Sequence, residues 1–196
     1  MRITGGKYRG RIVACPPGTI RPAMDRMRES LFAILGGIEG LSFLDMFSGS
    51  GVVAIEAASR GCRRVTLVEK DFRKKEVIQK NLRMVEEETK LYIMGAEQFL
   101  RRISPREGGF DIVYLDPPFN RAGKSALLGD TLRSGALKPG GLVILHYPRE
   151  EGEPGDGNLI CEDLRHYGRS CLAFYRRRED SALTGLLSPE QGGIAL

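Results

Sequence analysis

Residues 41–61 carry the segment that decides the fold, LSFLDMFSGSGVVAIEAASRG. Residues 41–47 are mostly apolar and predict a buried strand, and residues 52–61 predict a helix that Gly61 ends. Gly49 and Gly51 lie between the two and permit a tight turn. A strand, a glycine-rich turn and a helix in this order are typical of an α/β fold with a mainly parallel sheet.

The same alternation continues on both sides of this segment. Further apolar stretches predict strands at 63–71, 91–95, 110–119 and 140–148. Helical periodicity predicts helices at 24–35, 74–87, 97–103 and 125–135. Residues 158–178 predict a closing antiparallel hairpin. In a sheet of this kind, ligands bind beyond the carboxyl ends of the parallel strands, so chemistry is expected where those strands end.

The excess positive charge lies at the start of the chain. The net charge is +5, and residues 1–30 alone hold seven Lys or Arg and two acids. The rest of the chain is therefore balanced, and the asymmetry indicates an arm that contacts a polyanion. A solvated basic terminus with no partner is the alternative.

Cysteine and histidine usage argues against a metal site. Cys15, Cys62, Cys161 and Cys171 show no C-x-x-C spacing, and the chain has only two histidines. We therefore expect no metal and reduced thiols, as in a cytoplasmic protein. The first residues lack the apolar stretch of a signal peptide, and no apolar run approaches the ~20 residues of a membrane span, which predicts a soluble protein.

The turn after the first strand predicts a nucleotide-like ligand. Gly49-x-Gly51-x-x-Ala54 matches a dinucleotide fingerprint, and Glu69 follows at a distance suited to binding ribose hydroxyls. Asp45 lies just before the glycines, where its carboxylate would repel a pyrophosphate but attract an ammonium. This favours S-adenosylmethionine over NAD, while a structural turn without ligand is the third possibility. The predicted cofactor contacts are Asp45, Phe47, Gly49, Ser50, Gly51 and Glu69.

The sharpest motif is Asp116-Pro117-Pro118-Phe119 at the end of an apolar strand. It resembles the motif of amino-methyltransferases, in which an exocyclic base nitrogen is the nucleophile. The Asp116 carboxylate and the Pro117 carbonyl are expected to accept the two N–H groups, since proline leaves that backbone outside a strand ladder. Phe119 is expected to stack on the base. The alternative is that Pro117 and Pro118 only end the strand.

The third predicted strand ends at Met94-Gly95, where related enzymes often carry an acid or amide for the adenine amine. Gly95 lacks a side chain, so the Ala96 backbone or the Glu97 side chain is expected to contact the adenine instead.

Residues 2–11 (RITGGKYRGR) and 21–32 (RPAMDRMRESLF), with the glycine-rich turn and D-P-P-F, resemble the RsmD-type 16S ribosomal RNA (guanine-N2)-methyltransferases. The resemblance extends from residue 2 to about residue 178. It implies the Rossmann-like methyltransferase fold with a seven-stranded sheet and an N-terminal extension. It also implies S-adenosylmethionine as cofactor and a guanine of the small ribosomal subunit as substrate. The expected units are an N-terminal hairpin and helix (1–38), a catalytic domain (39–178) and a mobile tail (179–196).

Two positions depart from the family pattern. Ala23 stands where threonine usually follows R-P, and the fifth strand ends in His146-Tyr147-Pro148 instead of an acid-containing segment. His146 could contact the substrate, although a lone histidine at a strand end is more often a bystander.

Several basic residues are candidates for RNA binding. On the N-terminal hairpin, contacts to phosphate would position the RNA without reading its sequence. Arg28 lies three residues after Asp25 on a helix, so an internal ion-pair network is an equal alternative for it. Arg176, Arg177 and Arg178 would add a second basic patch or remain solvated. The predicted RNA contacts are Lys7, Arg9, Arg11, Arg21 and Arg28.

Other functions share some of these features. A DNA adenine-N6 methyltransferase would also use D-P-P-F, but nothing in 196 residues supplies a domain for reading duplex sequence. The basic arm argues against a small-molecule or protein N-methyltransferase. Asp116 and Phe119 argue against an inactive RNA-binding factor, and no acid–base pair supports a dinucleotide oxidoreductase.

Overall fold

The computed structural model describes residues 1–15, 23–103 and 109–177. Seven strands are present in this part of the chain. They are β1 (Ser42–Met46), β2 (Arg64–Glu69), β3 (Glu88–Ile93), β4 (Phe110–Leu115), β5 (Leu137–Pro148), β6 (Leu159–Tyr167) and β7 (Ser170–Arg177). They form one sheet in the order β3-β2-β1-β4-β5-β7-β6. The first five strands pair in parallel, and β7 pairs antiparallel with both β5 and β6.

Helices cover both faces of the sheet. They are α1 (Ala23–Leu35), α2 (Val52–Ser59), α3 (Lys75–Leu82), α4 (Ala96–Arg102) and α5 (Lys124–Arg133). Apolar side chains of α1, α2 and α3 join one buried cluster, and those of α4 and α5 join the cluster on the opposite face. Short 3₁₀ turns occupy Phe72–Lys74 and Arg149–Glu151. None of the helices in the described residues is long and apolar enough to cross a membrane.

The central unit folds as its sequence predicts. Every residue of β1 and of α2 is buried, which explains why both are so apolar. Gly51 connects them with a φ of 80°, and a Cβ there would lie 2.9 Å from Cδ2 of Leu67 on the next strand. A side chain at this position would therefore separate the turn from β2.

The predicted fold class is confirmed, whereas several predicted boundaries are wrong. The strand predicted at 110–119 ends at Leu115, and the strand predicted at 140–148 begins at Leu137. The helix predicted at 74–87 ends at Leu82, and the strand predicted at 91–95 is Glu88–Ile93. The polar residues Glu88, Thr89 and Lys90 gave no strand signal, yet they pair with β2. Because β3 is an edge strand with half-exposed side chains, hydrogen bonding to its neighbour fixes its start, and hydrophobicity does not.

The N-terminal segment forms a short hairpin closed by an antiparallel bridge between Arg2 and Ile12. Its backbone N–H groups attach it to Ser59 of α2. Ser59 accepts the Lys7 N–H at its carbonyl (2.7 Å) and the Tyr8 N–H at its hydroxyl (2.8 Å). A Cβ on Gly6 would lie 1.8 Å from the Ser59 carbonyl oxygen, so only glycine permits this approach.

Glu56 is the polar centre of this attachment. Its fully buried carboxylate accepts hydrogen bonds from the backbone N–H groups of Thr4 and Gly5. It also forms ion pairs with Arg28 (3.3 Å) and Arg60 (3.0 Å). One buried carboxylate therefore connects the hairpin, α1 and α2.

Arg28 belongs to this interior network, so its prediction as an RNA contact is wrong. Its side chain is 2% exposed, and it binds Glu56, Asp25 and the Arg2 carbonyl. A guanidinium in this position has no access to phosphate, and the internal ion pair is confirmed. Arg21, Arg178 and the predicted tail at 179–196 lie outside the described residues.

We predict that Glu56→Gln lowers the free energy of unfolding by about 3 kcal/mol, because it leaves the buried Arg28 without its buried counter-charge. Urea denaturation measures the change. Glu29→Gln, at an exposed position of the same helix as Arg28, serves as the control and should change stability by less than about 0.5 kcal/mol. Equal effects of the two substitutions would contradict the assignment of Glu56 as the centre of the network.

Candidate active site

The turn after β1 is fixed to the end of β2. The N–H groups of Phe47 and Ser48 donate to the Val68 carbonyl at 2.9 and 3.1 Å, and the Ser48 hydroxyl donates to the Asp45 carbonyl at 2.7 Å. Phe47 adopts a φ of 68°, in the left-handed region that residues other than glycine rarely occupy. This backbone conformation is held by the surrounding hydrogen bonds and exposes the Phe47 side chain to a cavity.

Glu69 connects the turn to the segment that follows β2. Its Oε2 accepts the Gly49 N–H at 2.8 Å, and its Oε1 accepts the Asp71 N–H at 2.9 Å. The Lys74 ammonium lies 3.3 Å from Oε2. Backbone donors thus hold both carboxylate oxygens at the edge of the cavity.

Asp45 lies beneath the turn, and it is 1% exposed. Its Oδ2 accepts the Ala54 N–H at 3.3 Å, which fixes the start of α2. Burial raises the pKa of Asp45 well above its ordinary value, and the negative charges of Asp116 and Glu69 raise it further, while the Ala54 hydrogen bond opposes both. A cation close to Asp45 would relieve this unfavourable environment.

Asp116 directly follows β4 and is held at the end of β1. Its backbone N–H donates to the Met46 carbonyl at 3.3 Å, which continues the parallel pairing of β1 with β4 by one residue. Its Oδ1 lies 2.8 Å from Nδ1 of His146, and its side chain is 20% exposed. Asp116 therefore faces the cavity while one of its oxygens is bound to β5.

The loop after Asp116 is stabilised by a buried lysine. Lys124 is 3% exposed, and its ammonium donates to the carbonyls of Phe119 (3.0 Å) and Arg121 (2.7 Å). It also forms an ion pair with Glu151 at 2.7 Å. The Phe119 ring packs edge-on against His146, with ring centroids 5.1 Å apart. These contacts fix the backbone that carries the Pro-Pro-Phe sequence.

The turn after β1, the end of β2 and the loop after β4 all line one cavity of about 1020 Å³. This volume is large enough for a cofactor and part of a substrate. Eight predicted site residues line it: Phe47, Glu69, Ala96, Glu97, Asp116, Pro117, Pro118 and Phe119. Four other predicted cofactor residues lie outside its lining: Asp45, Gly49, Ser50 and Gly51. These four residues belong to the turn itself: Asp45 is buried beneath it, and both glycines have a left-handed φ.

Glu97 lies at the first turn of α4 and forms an ion pair with Arg121. A hydrogen bond from its own backbone N–H lowers the pKa of Glu97, and the Arg121 guanidinium lowers it further. Arg121 also lies over the Phe47 ring, 5.7 Å from its centroid. The pair therefore joins the loop after β4 to α4 beside the turn.

Phe72, Arg121 and Lys124 are among the cavity and loop residues that sequence reasoning did not identify. Phe72 lines the cavity with 73% of its surface exposed, and an aromatic residue three positions after Glu69 was a usable signal. Arg121 and Lys124 gave no signal of this kind, because their roles depend on backbone carbonyls and carboxylates brought close only by folding.

The basic residues of the hairpin lie outside the cavity lining. Lys7 forms an ion pair with Glu86 at 2.8 Å, and the hydrogen bond to Glu86 raises the pKa of Lys7. Arg11 lies over the Tyr8 ring and donates to the Met84 carbonyl at 3.3 Å. Arg9 is exposed. These contacts leave the cationic groups at the surface while orienting two of them.

Comparison with known proteins places this chain in a family. A family model described as Conserved hypothetical protein 95 matches residues 1–176, which is nearly all of the chain that the structure describes. The chain belongs to this family. Among its curated relatives, Ribosomal RNA small subunit methyltransferase D of Escherichia coli is 35% identical over 162 residues, covering 79% of this chain and 78% of that protein. The resemblance to the RsmD-type family is thereby confirmed.

Solved structures agree with the fold. The Escherichia coli protein yhhF superimposes with a TM-score of 0.81 at 31% identity, covering 92% of this chain and 99% of that chain. SMU.776, complexed with SAH, superimposes with a TM-score of 0.63 at 19% identity, covering 80% of this chain and 50% of that chain. The second likeness concerns the fold alone.

We predict that Asp45→Asn raises the free energy of unfolding at neutral pH. The pKa of Asp45 is higher in the folded than in the unfolded chain, so its stabilising contribution is complete below its ordinary pKa of 3.8 and is lost as pH rises through the raised pKa. Asparagine cannot lose a proton, so the variant should lack this decline. Urea denaturation over a pH series tests this, with Asp130→Asn on α5, where the side chain is 47% exposed, as the control. Parallel pH profiles for Asp45→Asn and the unsubstituted chain would contradict it.

Proposed function

We propose that this chain transfers a methyl group from S-adenosylmethionine to the exocyclic N2 of a guanine in 16S rRNA of the small ribosomal subunit, in the cytoplasm. The observation that carries the proposal is the position of Asp116-Pro117-Pro118-Phe119. The motif lines the same cavity as Phe47 and Glu69, the residues beside the glycine-rich turn. The proposed cofactor site and the proposed amine-binding motif therefore share one cavity.

The residues of the turn fit S-adenosylmethionine. Glu69 is fixed by the Gly49 and Asp71 N–H groups, and remaining lone pairs of its carboxylate can accept ribose hydroxyls. The buried Asp45 supplies the negative charge that a methionine ammonium requires, and that ammonium would lower its raised pKa. Gly95, Ala96 and Glu97 line the cavity beside Glu69, where adenine would lie. When bound, the cofactor supplies an electrophilic methyl group on a sulfonium.

The D-P-P-F residues then act on the amine. An exocyclic amine is a weak nucleophile because its lone pair is delocalised into the base. The Asp116 carboxylate accepts one N–H and the Pro117 carbonyl accepts the other, which directs the lone pair towards the cofactor. Phe119, held by its contact with His146, stacks on the base. The contribution of the protein is position and local electrostatics.

The choice of RNA rests on the relatives and on the charge distribution. Several curated relatives are named Ribosomal RNA small subunit methyltransferase D. In this chain the net charge of +5 is concentrated in the first 30 residues, and Lys7, Arg9 and Arg11 lie at the surface. These residues, with Arg21, are proposed to bind phosphate and to place the target base at the cavity.

We predict that Asp116→Ala lowers methyl transfer to unmodified small ribosomal subunits by at least about 10²-fold, because the amine loses its acceptor. Radiolabelled S-adenosylmethionine measures the transfer. The affinity for the cofactor and the unfolding midpoint should stay close to those of the unsubstituted chain.

Glu162→Ala, on an exposed carboxylate of β6, is the matched control and should retain full activity. Retained activity in Asp116→Ala would remove Asp116 from the proposed role. Duplex DNA in parallel reactions tests the alternative of a DNA adenine methyltransferase.

A second prediction concerns the N-terminal hairpin. Replacing Arg9 and Arg11 by alanine should weaken RNA binding and reduce the slope of log affinity against log salt by about 1.5, since each phosphate contact contributes about 0.7–0.9 to it. Binding titrations between low and moderate salt measure the slope. Arg133→Ala with Arg165→Ala, two exposed arginines elsewhere, should leave it unchanged. An unaltered slope in the Arg9/Arg11 variant would exclude the hairpin from the interface.

A further inference from the structure

We propose that His146 is a positioning residue for methyl transfer, which holds the Asp116 carboxylate in the orientation that receives the substrate amine. The proposal rests on the proposed function and adds a residue that the D-P-P-F motif does not contain. It assigns a role to the position at the end of β5 where an acid-containing segment was expected from the family resemblance.

The sheet itself brings the two side chains together. Tyr114 pairs with Ile144 and Leu115 with Leu145 in the parallel register of β4 and β5. Asp116 and His146 are the next residues on each strand, and the Asp116 Oδ1 to His146 Nδ1 distance is 2.8 Å. Because both backbones are fixed by the sheet, the contact does not depend on a flexible loop.

In the proposed arrangement, the imidazole carries the proton of this contact. An ionised carboxylate can only accept, so Nδ1 must carry the hydrogen and donate it to Oδ1. That hydrogen bond occupies Oδ1 and stops the carboxylate from rotating freely. Oδ2 is then the oxygen available for the exocyclic N–H, in a side chain that lines the cavity.

An imidazole is an unfavourable choice if the position requires only packing. His146 is 4% exposed, and its buried Nε2 has no hydrogen-bond partner among the described residues. An apolar side chain would avoid a buried polar atom without a partner, which costs stability. The hydrogen bond from Nδ1 to Asp116 is therefore the property that distinguishes histidine from an apolar residue here.

His146 has different neighbours on its two sides. Asp116, which directly follows β4, lies 2.8 Å from its Nδ1. On the other side, β7 places Leu172 opposite His146. His146 thus lies between a carboxylate and an apolar side chain.

His146 also contacts the Phe119 ring, so its role in packing must be separated from its role as a donor. Two substitutions achieve this. His146→Asn keeps an N–H donor at the position of Nδ1 but removes the ring. His146→Phe keeps an aromatic ring but removes the donor. A positioning role through Asp116 and a packing role through Phe119 predict opposite orders of activity.

We expect His146→Asn to retain kcat within about threefold and His146→Phe to lose about 10²-fold in kcat, as for a misplaced reacting group. The KM values for cofactor and small subunit should change little in either variant. His166→Asn, at the only other histidine and at an exposed position of β6, is the matched control and should keep full activity. If His146→Phe loses its cooperative unfolding transition, it is replaced by His146→Leu, which also lacks the donor.

A second measurement does not depend on activity or on any variant of His146. Nitrogen-15 NMR of the intact protein distinguishes the two neutral imidazole tautomers, and His166→Asn assigns the two histidine signals. We expect His146 to carry its proton on Nδ1, and Asp116→Ala to alter the His146 signals while leaving those of His166 in place.

The outcomes separate the two proposals. Higher activity in His146→Phe than in His146→Asn, or an Nε2-protonated His146, would overturn the positioning role. Absence of methyl transfer to RNA by the unsubstituted protein would overturn the proposed function instead, whatever the tautomer of His146.

Discussion

The parallel pairing of β1 with β4 is the constraint on which the site depends. Asp45 pairs with Tyr114 and Met46 with Leu115, and the Asp116 N–H then donates to the Met46 carbonyl. This register brings the glycine-rich turn and the D-P-P-F motif to the same edge of the sheet, although about 70 residues separate them in sequence. A shift of β4 by one residue relative to β1 would turn Asp116 towards the opposite face of the sheet, away from the glycine-rich turn.

Helix α2 contacts both the glycine-rich turn and the N-terminal hairpin. Its first turn continues the glycine-rich turn, where Asp45 accepts the Ala54 N–H, and its middle carries Glu56, which holds the hairpin and α1. The surface proposed to bind RNA and the cavity proposed to bind the cofactor are therefore attached to one short, fully buried helix. Their relative position follows from packing and does not require a separate hinge.

The sequence predicts the fold and much of the site, because strand ends, glycines and D-P-P-F are local signals. Eight of the predicted residues line the cavity. The sequence does not predict the long-range contacts. One is the hydrogen bond from Lys124 to the Phe119 carbonyl. Another is the ion pair of Arg28 with Glu56, since sequence spacing linked Arg28 only to Asp25. The start of β3 is also hidden, because its polar residues pair at a sheet edge. These features arise from tertiary contacts that no local pattern encodes.

The most direct test of the central claim is identification of the modified nucleoside. Small ribosomal subunits that lack the modification are incubated with the protein and S-adenosylmethionine, digested, and analysed by mass spectrometry. N2-methylguanosine in the 16S rRNA digest is the predicted result. A methyl group on the ring atoms of a base or on ribose would contradict the account, since neither offers the two N–H groups that Asp116 and Pro117 are proposed to accept.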